Sequence, residues 1–403
     1  MDQAAPRIRL VVFADDWGRH PSSCQHLISR LTDRCDVLWV NTIGTRPPRF
    51  SLQDAGKAVG RFKQWLCPRA AEGSCDLPHA KVISPKMWPG FRRPWQQRFN
   101  ARKIGRAVNR AIAAGPMQKS VAVTTLPIMA DVVGRIDVDR WVYYCVDDFS
   151  VWPGLDGHVM QQMEKQLVQR VDAHVAASDT LMSHLTELGA RPSLLTHGID
   201  PAHWSAPPDK VLPDWWPRGS GPILLFWGLI DQRLNVDWCR AVAGVDFGAG
   251  PATVVLVGPR QSPDATIDAL PNVVTPGPVD YDRLPSLAAA ADVLVMPYRV
   301  LPVTRAMQPL KFKEYLATAK SVVATSLPAT EPWQDAADLV DSTDDFVEAV
   351  RRRLAGPTDE QVRARERLTD ESWSDKADKF LKLLLGEWSD APPESFAIQS
   401  AGN

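Results

Sequence analysis

Short runs of Val, Ile and Leu recur along the chain, and between them lie longer stretches in which apolar residues return at helical spacing. Apolar runs bounded by turn residues suit strands buried on both faces, so the sequence predicts parallel strands joined by crossover helices. A first series places strands at Ile8 to Phe13, Val37 to Val40, Val121 to Thr125, Trp141 to Val146, Ala173 to Ala177 and Leu194 to His197, with helices at Ser22 to Thr32, Trp95 to Ala114, Val159 to Val171 and Thr180 to Leu188. A second series places strands at Ile223 to Trp227, Val254 to Val257, Val273 to Thr275, Val293 to Pro297 and Val322 to Thr325. Its helices are Val236 to Val242, Leu284 to Ala291, Leu310 to Ala319 and Thr343 to Leu354. Ser342-Thr343-Asp344-Asp345 reads as a capping box that starts the last of these.

Between the two series, residues 201–222 are rich in Pro and Trp and carry no periodicity, which marks a linker. The expectation is an α/β chain of two doubly wound, Rossmann-like domains, 1–200 and 223–372. A helix over 373–390 follows, burying Trp373, Phe380, Leu383 and Leu384, and 391–403 form a loose tail. Ligands of such sheets sit at the carboxyl ends of the strands, and with two domains the cleft between them is the expected site.

Composition excludes a disordered chain: 45% of the 403 residues are hydrophobic. The formal charge of −1 hides an uneven distribution. From Arg46 to Arg110 there are fifteen Lys and Arg against Asp54, Glu72 and Asp76, whereas from Glu331 onward there are nine basic residues against seventeen acidic ones. Such asymmetry points to an anionic partner for the basic segment. Six cysteines without any C-x-x-C pair, and an N-terminus without a secretory signal, read as reduced thiols in a cytoplasmic protein. The most apolar stretch, LAAAADVLVMP, is interrupted by Asp292 and too short to cross a bilayer.

The most informative stretch is QPLKFKEYLATAKSVVAT, Gln308 to Thr325, in which a helix carrying Lys311 and Glu314 leads into a buried strand. A helix N-terminus with a Lys in its first turn suits a pyrophosphate, and a carboxylate one turn on suits a ribose diol. The same pattern is equally that of an ordinary amphipathic helix with solvated charges.

PLKFKEYLA-x-x-K-x-VVAT, together with GLIDQR after the first strand of the second series and LTHGID at the end of the first, resembles bacterial GT-B glycosyltransferases of polysaccharide assembly. The resemblance implies a nucleotide-sugar donor in the second domain and an acceptor in the first. It implies that Lys311 contacts the donor phosphates, Glu314 the ribose, and that Tyr298 lines the pocket. Gly228 would let the donor approach the backbone, with Arg233 a further phosphate contact and Gln308 and His197 on the donor side. His197, at a strand end, reads equally as a packing residue. Many retaining members carry a Glu eight residues before the ribose-binding one, where this chain has Ala306. The C-terminal helix of the family crosses back onto the first domain.

Tyr143-Tyr144-Cys145-Val146-Asp147-Asp148 is a strand that ends in two acids at the expected cleft. Glycosyl transfer needs a base for the acceptor hydroxyl, and a carboxylate serves. The stretch is similar to one in the xanthan-type glucuronosyltransferase, which implies Asp147 as the base with Asp148 as second candidate; two adjacent acids also suit a cap. Asp16 and His20, after the first strand, are weaker candidates for acceptor hydroxyls. No G-x-G-x-x-G fingerprint points to a dinucleotide, and the remaining histidines lack ligand spacing. No cofactor and no metal are therefore expected beyond the nucleotide sugar as co-substrate.

Arg98, Arg102, Arg106 and Arg110 recur every four residues along one helix, with aromatics interleaved from Phe50 to Phe99. Basic residues mixed with aromatics suit an anionic bilayer surface, so residues 46–110 are expected to meet a membrane rather than nucleic acid. A solvated basic face over a core is the plain alternative. Taken together these readings predict a glycosyltransferase at the inner face of the plasma membrane, using a nucleoside diphosphate sugar and a lipid-linked or growing glycan acceptor. A non-catalytic sugar-nucleotide scaffold and a GT-B epimerase are the alternatives.

Overall fold

The computed structural model describes residues 7–18, 22–42, 77–205 and 211–387. Its first sheet has seven parallel strands: β1 (Ile8–Ala14), β2 (Cys35–Asn41), β3 (Ala80–Ile83), β4 (Ser120–Thr124), β5 (Arg140–Cys145), β6 (Ala173–Ala176) and β7 (Ser193–Leu194), ordered β3-β2-β1-β4-β5-β6-β7. The connecting helices are α1 (Ser23–Ser29), α2 (Pro94–Ala113), α3 (Gly157–Val168) and α4 (Asp179–Glu187). A short helix α5 (Pro201–Trp204) leads to the second, six-stranded parallel sheet. Its strands β8 (Ile223–Trp227), β9 (Thr253–Val257), β10 (Val273–Gly277), β11 (Val293–Met296), β12 (Ser321–Thr325) and β13 (Asp338–Val340) lie in the order β10-β9-β8-β11-β12-β13. Around it are α6 (Val236–Ala243), α7 (Leu284–Ala290), α8 (Pro302–Ala306), α9 (Leu310–Leu316), α10 (Thr343–Arg353) and α11 (Asp359–Ala364), and the chain ends its described part in α12 (Trp373–Leu385).

Central strands carry continuous apolar runs because helices cover both of their faces: Leu10, Val11, Val12 and Phe13 of β1, and Leu224, Leu225 and Phe226 of β8, are fully buried. Each strand order reverses once, between β1 and β4 and between β8 and β11. At these switch points the loops after neighbouring strands diverge and leave a crevice at the carboxyl ends.

Helix α12 follows the second sheet in sequence but belongs to the first core, where Trp373, Ala377, Phe380, Leu383 and Leu384 are buried. Phe380 lies 5.2 Å from the ring of Tyr144. Ser372 caps the helix by accepting from the Asp375 N–H at 3.1 Å, and Gly386, at φ 75°, ends it in the left-handed conformation. The chain therefore passes between the sheets twice, and the two passages are bonded to each other. Ile199 N–H donates to the Glu371 carbonyl and Trp373 N–H to the Ile199 carbonyl, both at 2.9 Å.

Several elements differ from the sequence reading. The strand expected to run to His197 stops at Leu194, because beyond Leu195 the backbone turns to the crossing and His197 N–H bonds to the Gln308 side chain. Edge strands β3 and β13 are too short and too polar to announce themselves; Asp338 opens β13 with Arg352, Arg353 and Gln361 around its carboxylate. Helix α5 lies inside the stretch read as linker, capped by Asp200, and its Trp204 enters the second core. Helices α8 and α11 were likewise not foreseen: each is a short segment without a readable apolar period.

A Cβ at position 198 would lie 2.8 Å from Trp373 Cδ2 and 3.0 Å from its Cα. Gly198→Val should therefore lower the urea midpoint, at a cost of about 1–3 kcal/mol for overpacking where the two passages touch.

Candidate functional site

The site builds from the switch point of the second sheet. After β8 the chain turns at Gly228 (φ 134°), and after β9 at Gly258 (φ 145°). A Cβ on Gly258 would stand 1.9 Å from the Gly228 carbonyl oxygen, and one on Gly228 would stand 2.0 Å from Lys311 Nζ. Only glycines allow these loops to nest and a lysine to lie against the backbone. The loops after β8 and β11 are laced together by Asn235 N–H to the Pro297 carbonyl and Arg299 N–H to the Arg233 carbonyl, each at 2.7 Å. Lys311, in the first turn of α9, donates to the Tyr298 hydroxyl at 2.5 Å and lies 4.5 Å from the centre of the Phe226 ring. Gly228, Tyr298 and Lys311 thus meet at one point.

One turn further on α9, Glu314 accepts from Trp227 Nε1 through Oε2 and from the Tyr281 hydroxyl through Oε1, both at 2.9 Å. Burial raises its pKa; the bonds from Trp227 and Tyr281 and the nearby Lys311 oppose the rise.

Across the cleft, β5 ends at Cys145 and delivers Asp147 and Asp148. Burial pushes the Asp147 carboxyl up to about 7; Arg233 pulls it down, and Asp15 and Asp148 add like charge. Asp148 points elsewhere, bound by the Ser150 N–H at 2.9 Å and the Ser150 hydroxyl at 2.6 Å, as its reading as a cap allowed. Arg233 comes from the second sheet, is buried, and is held by Asp231 through Nε at 3.0 Å and Nη2 at 2.9 Å. Its guanidinium lies 5.1 Å over the ring of Trp152, which belongs to the first sheet's loops. The second-sheet arginine thereby bridges to the wall that carries Asp147.

His197 and Gln308 meet at the crossing, where Gln308 Oε1 accepts from His197 N–H. The His197 ring is buried, neither nitrogen has a protein partner, and burial beside Lys313 lowers its pKa to about 3. Lys313 Nζ donates to the His197 carbonyl at 2.6 Å and pairs with Glu371, which also takes Lys376 at 2.8 Å. A cavity of about 400 Å³ opens beside this cluster between Ser178 and Trp333, and Asp147, Lys311 and Glu314 do not line it. Asp16 lies near the cleft on the β1 loop, with its carbonyl bonded by Gln25 Nε2 at 3.2 Å. His20 lies outside the described residues.

Sequence reasoning missed the partners that hold these groups: Trp227 and Tyr281 on Glu314, Asp231 and Trp152 on Arg233, and Glu371 between two lysines. Of these only the Asp231-x-Arg233 spacing in GLIDQR gave a signal. His184, read as without an acid partner, bonds to Glu164 at 2.8 Å, while the Tyr143 hydroxyl donates to the other Glu164 oxygen at 2.6 Å. Asp148, Glu164 and His184 offer ligand-type atoms within 4.8 Å of one another, with Asp148 bonded to Ser150 and Glu164 to His184 and Tyr143.

On α2, Ile104 and Val108 are buried, whereas Trp95 and Phe99 are 48% and 41% exposed, so its aromatics are divided from its core face. Arg102, Arg106, Arg110 and Arg135 line a groove of about 410 Å³ and have no acidic partner among the described residues. Residues 43–76, with Phe50, Phe62 and Trp65, lie outside the described residues. No described helix is long and apolar enough to cross a membrane.

Comparison with known proteins agrees with this architecture. Residues 221–355 match the family model of group 1 glycosyl transferases. Over 186 residues, 44% of the chain, the sequence is 30% identical to a Bacillus subtilis (strain 168) protein provisionally named teichuronic acid biosynthesis glycosyltransferase TuaH. That match covers 46% of the relative, so the chain spans about half the length of the curated relative it matches. Among solved structures, sucrose-phosphate synthase from Thermosynechococcus elongatus superposes with a TM-score of 0.67 at 16% identity, covering 95% of this chain and 99% of that one. Anabaena HepE, in complex with UDP and glucose, superposes with 0.63 at 13% identity, covering 94% and 99%. The chain has the GT-B fold, and the part of it that is similar to group 1 glycosyl transferases, residues 221–355, holds the whole second sheet.

The raised pKa of Asp147 has a consequence for stability. Below about pH 4 the carboxyl is neutral in both folded and unfolded chains; as pH rises from there to about 7, only the unfolded chain ionises freely, and the native state loses stability. Asp147→Asn removes this loss. Its urea midpoint relative to the wild type should climb between pH 4 and 7 and then level, a relative gain of about 1–3 kcal/mol after allowing for the group's solvent contact.

Proposed function

We propose that this protein transfers a sugar from a nucleoside diphosphate sugar to a hydroxyl of a lipid-linked or growing glycan acceptor in cell-surface polysaccharide synthesis. The observation that carries the reading is the facing pair across the cleft. A lysine nested against glycine backbone at the switch point of the second sheet meets, through Arg233 and Trp152, a carboxyl on the first sheet held near neutral pKa. A base with a pKa near the working pH is suited to take an acceptor hydroxyl's proton. In this reading Asp147 takes that proton as the anomeric carbon gains positive character, and Lys311 carries the negative charge left on the departing diphosphate. Approach of the two sheets orients the acceptor and excludes water. Lysine in place of a metal ion makes the proposed transfer metal-independent. The name of the Bacillus relative supports cell-surface polysaccharide as the product.

The basic face is the proposed contact with the inner surface of the plasma membrane. Exposed Trp88, Trp95 and Phe99 stand on or beside α2, which also carries Arg102, Arg106 and Arg110, arginines with no acidic partner among the described residues, a combination that suits anionic headgroups. Such docking would keep the polyprenyl tail of a lipid-linked acceptor in the bilayer.

A panel of UDP-, GDP- and dTDP-sugars with EDTA present tests the central reading. One donor should stabilise the protein and be consumed only with acceptor, and turnover should rise with pH through about 7. Asp147→Asn should cut transfer about a hundred- to ten-thousand-fold with donor binding retained. Conversion of donor without acceptor would instead indicate an epimerase, and binding without turnover a scaffold. In flotation assays, vesicles containing phosphatidylglycerol should carry the protein and phosphatidylcholine alone should not; Arg102→Ala with Arg106→Ala should weaken that recovery severalfold.

A further inference from the structure

The end of β5 is gripped from behind by a buried acid. Tyr143 and Cys145, two positions apart on one side of the strand, both reach Glu164 of α3, which is 1% exposed. The Tyr143 hydroxyl donates to Glu164 Oε1 at 2.6 Å, and the Cys145 sulfur lies 3.8 Å from the same oxygen. That sulfur is also 3.7 Å from the Asp147 carbonyl oxygen. The second oxygen of Glu164, Oε2, lies 2.8 Å from Nε2 of His184 on α4. On the far side of Asp147, Asp148 takes the Ser150 hydroxyl at 2.6 Å and comes within 4.8 Å of Glu164 and His184. Asp147 therefore stands between two residues engaged with this cluster. Its own carboxyl is no member of the cluster: the charges that bear on it are Arg233, Asp15 and Asp148.

We propose that Glu164 is a positioning residue: paired with His184, it fixes the end of β5 through Tyr143 and Cys145 and so keeps the Asp147 carboxyl in its buried place at the cleft. The proposal rests on the reading of Asp147 as the base and adds what holds that base.

A carboxylate removed from water is costly unless it is hydrogen-bonded and paired. Here a tyrosine hydroxyl serves one oxygen and an imidazole the other, so neither donor can leave without stranding the acid. The bond to Glu164 raises the pKa of His184; burial opposes the rise, and Glu164, Asp148 and Glu187 add to it as nearby charges. One carboxylate thus joins β5, α3 and α4 just before the strand delivers Asp147. A base works only in its productive geometry, and a displacement of about 1 Å can cost about a hundredfold in rate. The burial that raises the Asp147 pKa belongs to the same placement. A strand end that drifts toward the cleft gives the carboxyl water and returns its pKa toward the ordinary carboxylate range.

The test compares Glu164→Gln with Tyr143→Phe, which removes the hydroxyl and keeps the ring. In both, kcat should fall about tenfold to a hundredfold with the donor KM within about twofold of wild type. The pH at which turnover reaches half its plateau should drop from about 7 by at least about one unit. A second readout needs no activity. The gain in urea midpoint that Asp147→Asn shows between pH 4 and 7 should shrink to less than half when Asp147→Asn is made in either variant. A merely structural Glu164 would lower the midpoints and leave both that gain and the half-plateau pH unchanged, which overturns the proposal. If Glu164→Gln does not fold, Tyr143→Phe decides alone. If the wild type transfers no sugar, or Asp147→Asn transfers as well as the wild type, the base reading falls, and the midpoint comparison still decides whether Glu164 places Asp147.

Discussion

The structure depends on a small piece of parallel pairing where the chain passes twice between its sheets. Ile199, on the way out of the first sheet, exchanges backbone hydrogen bonds with Glu371 and Trp373, on the way back. Beneath them the Glu371 carboxylate sits between Lys313 and Lys376, with Thr196 also bonded to Lys376 at 2.8 Å. Burying two ammonium groups is costly, and burial lowers the Lys313 pKa to about 8 even with Glu371 beside it. Removing Glu371 would leave both ammonium groups without a counter-charge, so its carboxylate ties α9, the end of the first sheet and the start of α12 into one arrangement.

That tie explains why the cleft is built as it is. Helix α9 points Lys311 and Glu314 into the second sheet's crevice and, from its other side, Lys313 into the crossing. The helix that carries the proposed donor contacts is thus also the helix that fixes how the sheets approach. Further bonds across the gap belong to the same state: Ser178 donates to the Ala306 carbonyl at 2.9 Å, and Arg233 lies over Trp152. Ala306, the position of a glutamate in many retaining relatives, is buried against the first core and offers the cleft no acid.

Much of this was legible in the sequence because central parallel strands must be apolar throughout and therefore stand out. The edge strands β3 and β13 are short, carry the charged Lys81 and Asp338, and have no such signature. Within the site, residue type and helical spacing single out Lys311 and Glu314, and a strand ending in two acids draws attention to Asp147 and Asp148; Gly228 and Arg233 enter only through the family resemblance. The groups that hold them could not be picked out in this way. Tyr281 lies 33 positions from Glu314, Trp227 lies 87 positions from it, and Lys313 meets Glu371 across 58. Such partners are set by loop geometry and by the return of the chain, neither of which leaves a local pattern. The crossing itself hid within a strand prediction that ran on to His197.

The return of α12 to the first core has a consequence for how the protein is made. Synthesis runs from the N-terminus, so seven strands emerge before the helix that seals them; Arg34 reaches its partner Asp378 only after 344 residues. Until then, the surface that Phe380 and Leu384 will cover stays open, while the second sheet can assemble from contiguous chain. The half that is synthesised first is therefore the half that is completed last. Contacts this distant slow folding and prolong exposure of apolar surface. Because the seal is reached only through the second half, loosening either sheet loosens both.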